Sequence, residues 1–263
     1  MSVGEEVAIV DLFVAGLLPG LLMLVMLAAW SLWANRKDPI PLTPFSVKDA
    51  KAAIREAMWE IPLPVFVLGG IYGGFFAVSE VAAATALYVL ITEVWIYKEV
   101  ELKKLLGIMR ESMMVSGGIL LILGVSLAST SFIIDAEIPM RLFEIIQDHV
   151  KEKIVFLILL NLLLLLLGAI LDIFSALVLM VPLILPVAVS YGIHPVHLGI
   201  IFLANMQIGY FTPPVGMNLF IASYRFKKTI VELYRATIPF MLVLLTALLL
   251  ITYWPGLSLV FLK

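Results

Sequence analysis

The 263-residue sequence contains no cysteine. This excludes a disulfide-stapled scaffold, thiolate metal sites and thiol redox chemistry. Charge is also scarce. Asp, Glu, Lys and Arg make up 14% of the chain, against about 25% in an ordinary soluble domain. The formal net charge is −2, so there is no basic field for a phosphate backbone and no nucleic-acid partner is expected. Only three histidines occur, His149, His194 and His197. No H-E-x-x-H, G-x-S-x-G or P-loop pattern is present, so the sequence does not read as an enzyme. Without a nucleotide-binding motif, uphill movement of a solute would draw on an ion gradient.

Apolar residues fill the space that charge leaves. They form 63% of the chain, against about 45–50% in soluble domains, and the mean hydropathy is +1.13. The charges are spaced for a membrane. Asp11 to Arg36 encloses 24 uncharged residues, Glu60 to Glu80 encloses 19, and Glu111 to Asp135 encloses 23. Lys153 to Asp172 encloses 18, Asp172 to His194 encloses 21, and both His197 to Arg225 and Arg235 to Lys263 enclose 27. A spanning helix needs about 20 residues. Period-2 alternation is missing, so the reading is an all-α integral membrane protein, a helical bundle in the lipid bilayer. Met1–Asp11 carries acidic and no basic residues, unlike a signal peptide, so Asp11–Arg36 reads as a retained helix. Lys and Arg are spread too evenly among the connectors to set an orientation.

Between spans, Ser46–Glu60 places Val47, Ala50, Ile54 and Met58 on one helical stripe, as an interfacial helix would. Pro39, Pro41 and Pro44 make the corner before it. Lys98–Arg110 and Met140–Lys153 have a similar character. A plain solvated connector is the alternative for each.

Three segments depart from plain spanning helices. Leu203–Tyr224 contains Thr212-Pro213-Pro214-Val215-Gly216. Two adjacent prolines lack N–H groups and push their predecessors out of helix. Gly209 and Gly216 flank the break, and Asn205, Gln207, Thr212 and Asn218 bring side-chain oxygens. Opened backbone at membrane depth belongs where it lines a cavity, and half-helix ends there can meet Na⁺ or an anion. A simple proline kink is the alternative. In Gly168–Tyr191, Asp172 interrupts an apolar stretch, and an intramembrane carboxylate is a functional candidate by default. Pro182 and Pro186 divide the apolar run after Asp172. The 35 residues of Val155–Val189 fall short of the roughly 40 plus a turn that two spans need, which fits one full span followed by two short arms, a re-entrant hairpin. Two ordinary helices joined at Asp172 are the alternative. In Pro62–Thr85, Gly69, Gly70, Gly73 and Gly74 allow close packing or a break, with Glu80 after them.

These three blocks resemble the signatures of one family. Ala204–Ser223, "ANMQIGYFTPPVGMNLFIAS", is similar to the signature of the large membrane subunit of tripartite ATP-independent periplasmic (TRAP) transporters. Gly69–Ala84 and Gly168–Phe202 resemble two further signatures in the same order. The resemblance implies an elevator-type secondary transporter built from two inverted repeats. Each repeat supplies a re-entrant hairpin and a broken helix, and Na⁺ is the coupling ion, with no covalent cofactor. It implies C4-dicarboxylates or sialic acid as substrates, a periplasmic substrate-binding protein, a small four-helix membrane subunit, and the bacterial inner membrane.

Carried onto this chain, the second hairpin is about 168–190, with Asp172, Ser175 and Ala176 in its first arm and tip. The second broken helix is about 198–224, and the final span about 238–256. The candidate ion and substrate residues are Asp172, Ser175, Asn205, Gln207, Gly209, Thr212, Pro213, Pro214, Gly216 and Asn218. Na⁺ is expected near Thr212, Gly216 and Asp172, with the substrate carboxylate at the half-helix starting near Gly216. Two departures stand out. Phe76-Ala77-Val78-Ser79-Glu80 lacks the Thr and Pro of the family's F-T-P-T-E, and Ile173 stands where many relatives have Pro. Residues 1–60 read as the last helix of the first repeat plus an interfacial arm helix, and 61–263 as the second repeat. The chain is thus expected to be a fragment of a longer product. Assembly with the first-repeat half as a separate chain, or a truncated relic without transport, are the alternatives. Two other functions remain open: a structural membrane subunit, and a carboxylate symporter without a binding protein.

Overall fold

A computed structural model describes residues 8–36, 44–136, 141, 150–171, 173–213 and 216–262. The corner prolines Pro39 and Pro41, most of the Met140–Lys153 connector with His149, Asp172 and Pro214 lie outside the described residues. All regular structure among the described residues is helical. In chain order the helices are α1 (Ile9–Ala34), α2 (Val47–Glu56), α3 (Pro62–Tyr72), α4 (Val78–Ile91) and α5 (Leu102–Asp135). Then come α6 (Lys153–Ile170), α7 (Ile173–Ser190), α8 (Pro195–Gly209), α9 (Met217–Phe226), α10 (Ile230–Tyr253) and the short α11 (Gly256–Leu259). A 3-10 turn, Ala57–Trp59, extends α2, and a π-helical turn, Thr92–Ile96, extends α4. Among the described residues, five helical segments are long and apolar enough to cross a membrane: α1, Val78–Ile96, α6, α7 and α10.

The chain divides into two compact units. One is Asp38–Gly118, and the other combines Met1–Lys37 with Ile119–Lys263. In the smaller unit, Ser46 caps α2 by accepting the Asp49 N–H at 3.3 Å. The phenols of Tyr88 and Tyr97 donate to the carbonyls of Trp59 and Glu56 and so tie α4 and its π turn to the end of α2. The glycine block ends α3. The chain turns through Gly73–Phe76, with Gly74 at φ +67, a region open to glycine. Glu80 is exposed, and its carboxylate accepts the Ala77 N–H at 2.9 Å. Its role in this unit is to cap α4.

The larger unit is organised around α8. Eleven of its fifteen residues are buried, as expected for a helix that is apolar on all sides. Pro195 opens α8 at a position where its missing N–H costs nothing. One core joins α6, α7 and α8 through Leu160, Leu164, Ala176, Val187, Ile201 and Met206. Others join α8 to α1, α10 and α11. Thr229 opens α10 in a reciprocal cap with Glu232.

The hairpin differs from the sequence expectation. Pro182 and Pro186 lie inside α7, which runs unbroken for 18 residues. The helix breaks earlier, at Leu171, whose backbone is extended. The described residues thus match the alternative reading, two ordinary helices, α6 and α7, on either side of Asp172, rather than two short arms within 168–190. The physical reason is spacing. Prolines four apart remove the N–H bonds to Val178 and Pro182, one turn apart, and leave the rest of the ladder intact. Membrane helices tolerate such isolated losses.

Candidate functional site

The site is the place where α6 ends, α7 begins and the chain between α8 and α9 opens. Backbones touch there. A Cβ on Gly209 would sit 2.6 Å from the Gly168 backbone, and one on Gly168 would sit 3.2 Å from the Cα atoms of Gly209 and Met206. Only glycine at both positions lets the ends of α6 and α8 approach this closely. The break is then fixed to α6 by a hydrogen bond, the Gly216 N–H donating to the Ala169 carbonyl at 3.2 Å.

Within the break the backbone is partly re-used. Phe211 N donates to Ile208 O, Thr212 N to Gly209 O, and Asn218 N to Tyr210 O at 3.0 Å. Among the described residues, no backbone donor reaches the Thr212 carbonyl. That oxygen lies beside Gly216, 3.0 Å from where a Cβ would stand. Gly216 itself has φ +57 and is buried. The Thr212 hydroxyl donates to the Ile208 carbonyl at 2.8 Å. Its proton is committed, so its lone pairs remain as ligand electrons. The site thus presents oxygen, the donor type that hard cations prefer. No cluster of three or more His, Cys, Asp or Glu occurs among the described residues.

The expected residues separate into groups. Gly209, Thr212, Pro213 and Gly216 are brought together in the break. Ser175 is half-buried in the first turn of α7. Gln207 is exposed on α8, and Asn218 is exposed at the start of α9. Asp172 and Pro214 are outside the described residues. Asn205 is fully buried and points between helices. Its amide donates to Asn161 Oδ1 at 2.7 Å and to the Ile201 carbonyl at 2.8 Å. Among the described residues its own Oδ1 finds no hydrogen-bond donor. Asn161 in turn donates to Thr252 Oγ1 at 3.2 Å. A buried amide chain therefore links α6, α8 and α10 one turn behind the break. At the other end of α8, buried His197 meets Ser258 Oγ and the Thr252 carbonyl, each at 3.2 Å.

Sequence reasoning passed over Asn161, Thr252 and Tyr210. Asn161 carried a readable signal: it is an amide inside a leucine run, and such a group in hydrocarbon must find a partner. Tyr210 carried none, since its partner is 37 residues away.

Over residues 1–257 the sequence matches the family described as "Tripartite ATP-independent periplasmic transporter, DctM component". The chain belongs to this family. Among relatives of this DctM-family chain, the C4-dicarboxylate TRAP transporter large permease protein of Rhodobacter capsulatus is 38% identical, covering 98% of this chain and 58% of that protein. The isethionate TRAP transporter permease protein of Oleidesulfovibrio alaskensis is 32% identical over 99% of this chain and 41% of its own length. The sialic acid TRAP transporter permease protein of Haemophilus influenzae is 29% identical over 94% of this chain and 40% of its own. The chain therefore spans roughly half the length of these relatives. They are transporter permeases, not enzymes, and with five helices among the described residues long and apolar enough to cross a membrane this family member is a multi-pass membrane protein.

Proposed function

We propose that this chain is the ion-binding, second-repeat part of a TRAP large permease, and that the assembled permease moves an organic acid across the bacterial inner membrane coupled to Na⁺. The observation that carries the reading is the break between α8 and α9, held against the end of α6, with a Thr212 carbonyl that no backbone donor among the described residues reaches and a Thr212 hydroxyl that donates to the Ile208 carbonyl. The C-terminal end of α8 concentrates negative partial charge and the N-terminal end of α9 positive. A cation fits the first and a substrate carboxylate the second. Na⁺ would take oxygens from Thr212 and the Gly216 turn, with Asp172 supplying charge from the α6–α7 junction. In this reading Ser175, Gly209, Pro213, Pro214 and Asn218 would complete the surroundings. Asn205 and Gln207 stand on α8, Asn205 with an open Oδ1. The three relatives are named for isethionate, a C4-dicarboxylate and sialic acid. All are organic acids, which supports that substrate class here, most simply a C4-dicarboxylate or a sialic acid. A periplasmic substrate-binding protein and a small four-helix membrane subunit would be the partners.

The test is Na⁺-specific stabilisation in detergent, compared with choline at equal ionic strength. A ligand at about 100 times its Kd stabilises the folded state by about 2.7 kcal/mol. The wild type should gain Tm in Na⁺ alone, and Thr212→Ala should lose most of that gain. An equal response to choline, or a Thr212→Ala variant that responds like the wild type, defeats the assignment.

A further inference from the structure

The start of α7 poses a problem that its own sequence does not solve. The first N–H of a helix has no intrahelical acceptor. A side chain at the N-cap reaches the second or third N–H, not the first. Ile173 is the first residue of α7, so its N–H needs an acceptor from another element, and leaving it bare in hydrocarbon is costly. Tyr210 provides that acceptor. The Ile173 N–H donates to the Tyr210 phenol oxygen at 2.6 Å.

Tyr210 is the residue directly after α8 and opens the break. Its own N–H still bonds back to Met206 O, inside α8. Its carbonyl accepts the Asn218 N–H, from the first turn of α9. One residue thus holds three helices: α8 and α9 by its backbone, and α7 by its side chain. The oxygens of Thr212 lie two residues further along the chain.

We infer that Tyr210 is a positioning residue for the proposed ion site, a latch whose phenol fixes the first arm residue after the α6–α7 junction against the opened helix. This rests on the ion-site reading of the break. With the latch closed, the α7 start and the break keep one spacing, and the Thr212 oxygens are presented to whatever the junction contributes. With it open, the Ile173 N–H loses its acceptor and the two sides of the site are free to part. Ion occupancy and the seating of α7 are coupled through this bond.

The experiment is a double-substitution cycle on the full chain in detergent, using NaCl as the probe and choline chloride as the control. Tyr210→Phe removes the acceptor oxygen and keeps the ring. Ile173→Pro removes the donor at a helix position that accepts proline. Each single variant should raise the Na⁺ concentration for half-maximal stabilisation by about three- to tenfold, the size a net hydrogen bond carries. The double variant should be no worse than the weaker single one, because both changes break the same bond. Additive effects overturn the inference. So does a variant pair that loses Tm in choline but keeps the wild-type Na⁺ midpoint, because that is a structural tie alone. If Ile173→Pro does not fold, the midpoint of Tyr210→Phe decides by itself. Failure of the ion-site reading has its own signature: the wild type then shows no Na⁺-specific shift, which overturns the positioning role with it.

Discussion

At the scale of single residues, the glycines of the site differ from a glycine in open space such as Gly20. A methyl group added at Gly20 in α1 would meet nothing within 4 Å, so Gly20→Ala should be neutral or stabilising by up to about 1 kcal/mol through helix propensity. Gly209 has backbone at 2.6 Å, which no side-chain rotation relieves. Gly209→Ala should force α6 and α8 apart and cost about 1–3 kcal/mol. Thermal unfolding of the two variants checks this, and equal Tm values for both would refute the close crossing. The break itself was legible from sequence because proline chemistry is local: two missing N–H groups cannot be hidden by packing. The Tyr210 latch was not legible, because its meaning depends on which residue the fold carries to within hydrogen-bonding distance. Glu80 was read as following a glycine block, and its engagement as the α4 cap depends only on residues three apart.

At the scale of helices, the larger unit is held by two kinds of contact. Apolar packing joins α6, α7 and α8, but lipid is as apolar as leucine, so burial from water does not drive this association. The amide chain Asn205–Asn161–Thr252 is directional and fixes the rotation of α6 and α10 about α8. Its members should therefore be coupled. Asn161→Leu and Asn205→Leu together should cost less than the sum of the two alone, by about 0.6–1.7 kcal/mol, the range for such bonds between membrane helices. Strict additivity in thermal or denaturant unfolding would mean that the two amides do not act together. Of the candidate spans, α1, α6, α7 and α10 were readable from charge spacing and length, whereas Val78–Ile96 was not, since it carries Glu80 and Glu93 and begins inside the Glu60–Glu80 window. Two short arms were expected within 168–190, because Pro182 and Pro186 look like breakers in isolation, and the alternative of two ordinary helices is what the described residues show. One turn apart on a single helix, they remove only two bonds and α7 absorbs the loss.

At the scale of the whole molecule, the division of labour rests on which residues come from this chain. Every described element of the proposed ion site, from Gly168 to Asn218, lies in the larger unit. The described oxygens of the proposed site are therefore all supplied by one compact unit. The substrate is a different matter. In the inverted-repeat architecture that the family resemblance implies, the solute sits between two repeats, and this chain spans 58% of the Rhodobacter capsulatus permease it matches. Ion binding and transport should then separate experimentally. The chain alone should show Na⁺-specific stabilisation but no uptake of a C4-dicarboxylate or sialic acid in proteoliposomes. Co-reconstitution with a first-repeat segment, the small membrane subunit and the binding protein should restore uptake, and an ionophore that collapses the Na⁺ gradient should abolish it. Uptake by the chain alone would show that one repeat suffices for the solute. Uptake that ignores the Na⁺ gradient would remove Na⁺ as coupling ion even if it binds. The order of the measurements matters, since stabilisation without uptake is the outcome that distinguishes a complete ion site within an incomplete transporter from a membrane subunit that only bundles helices.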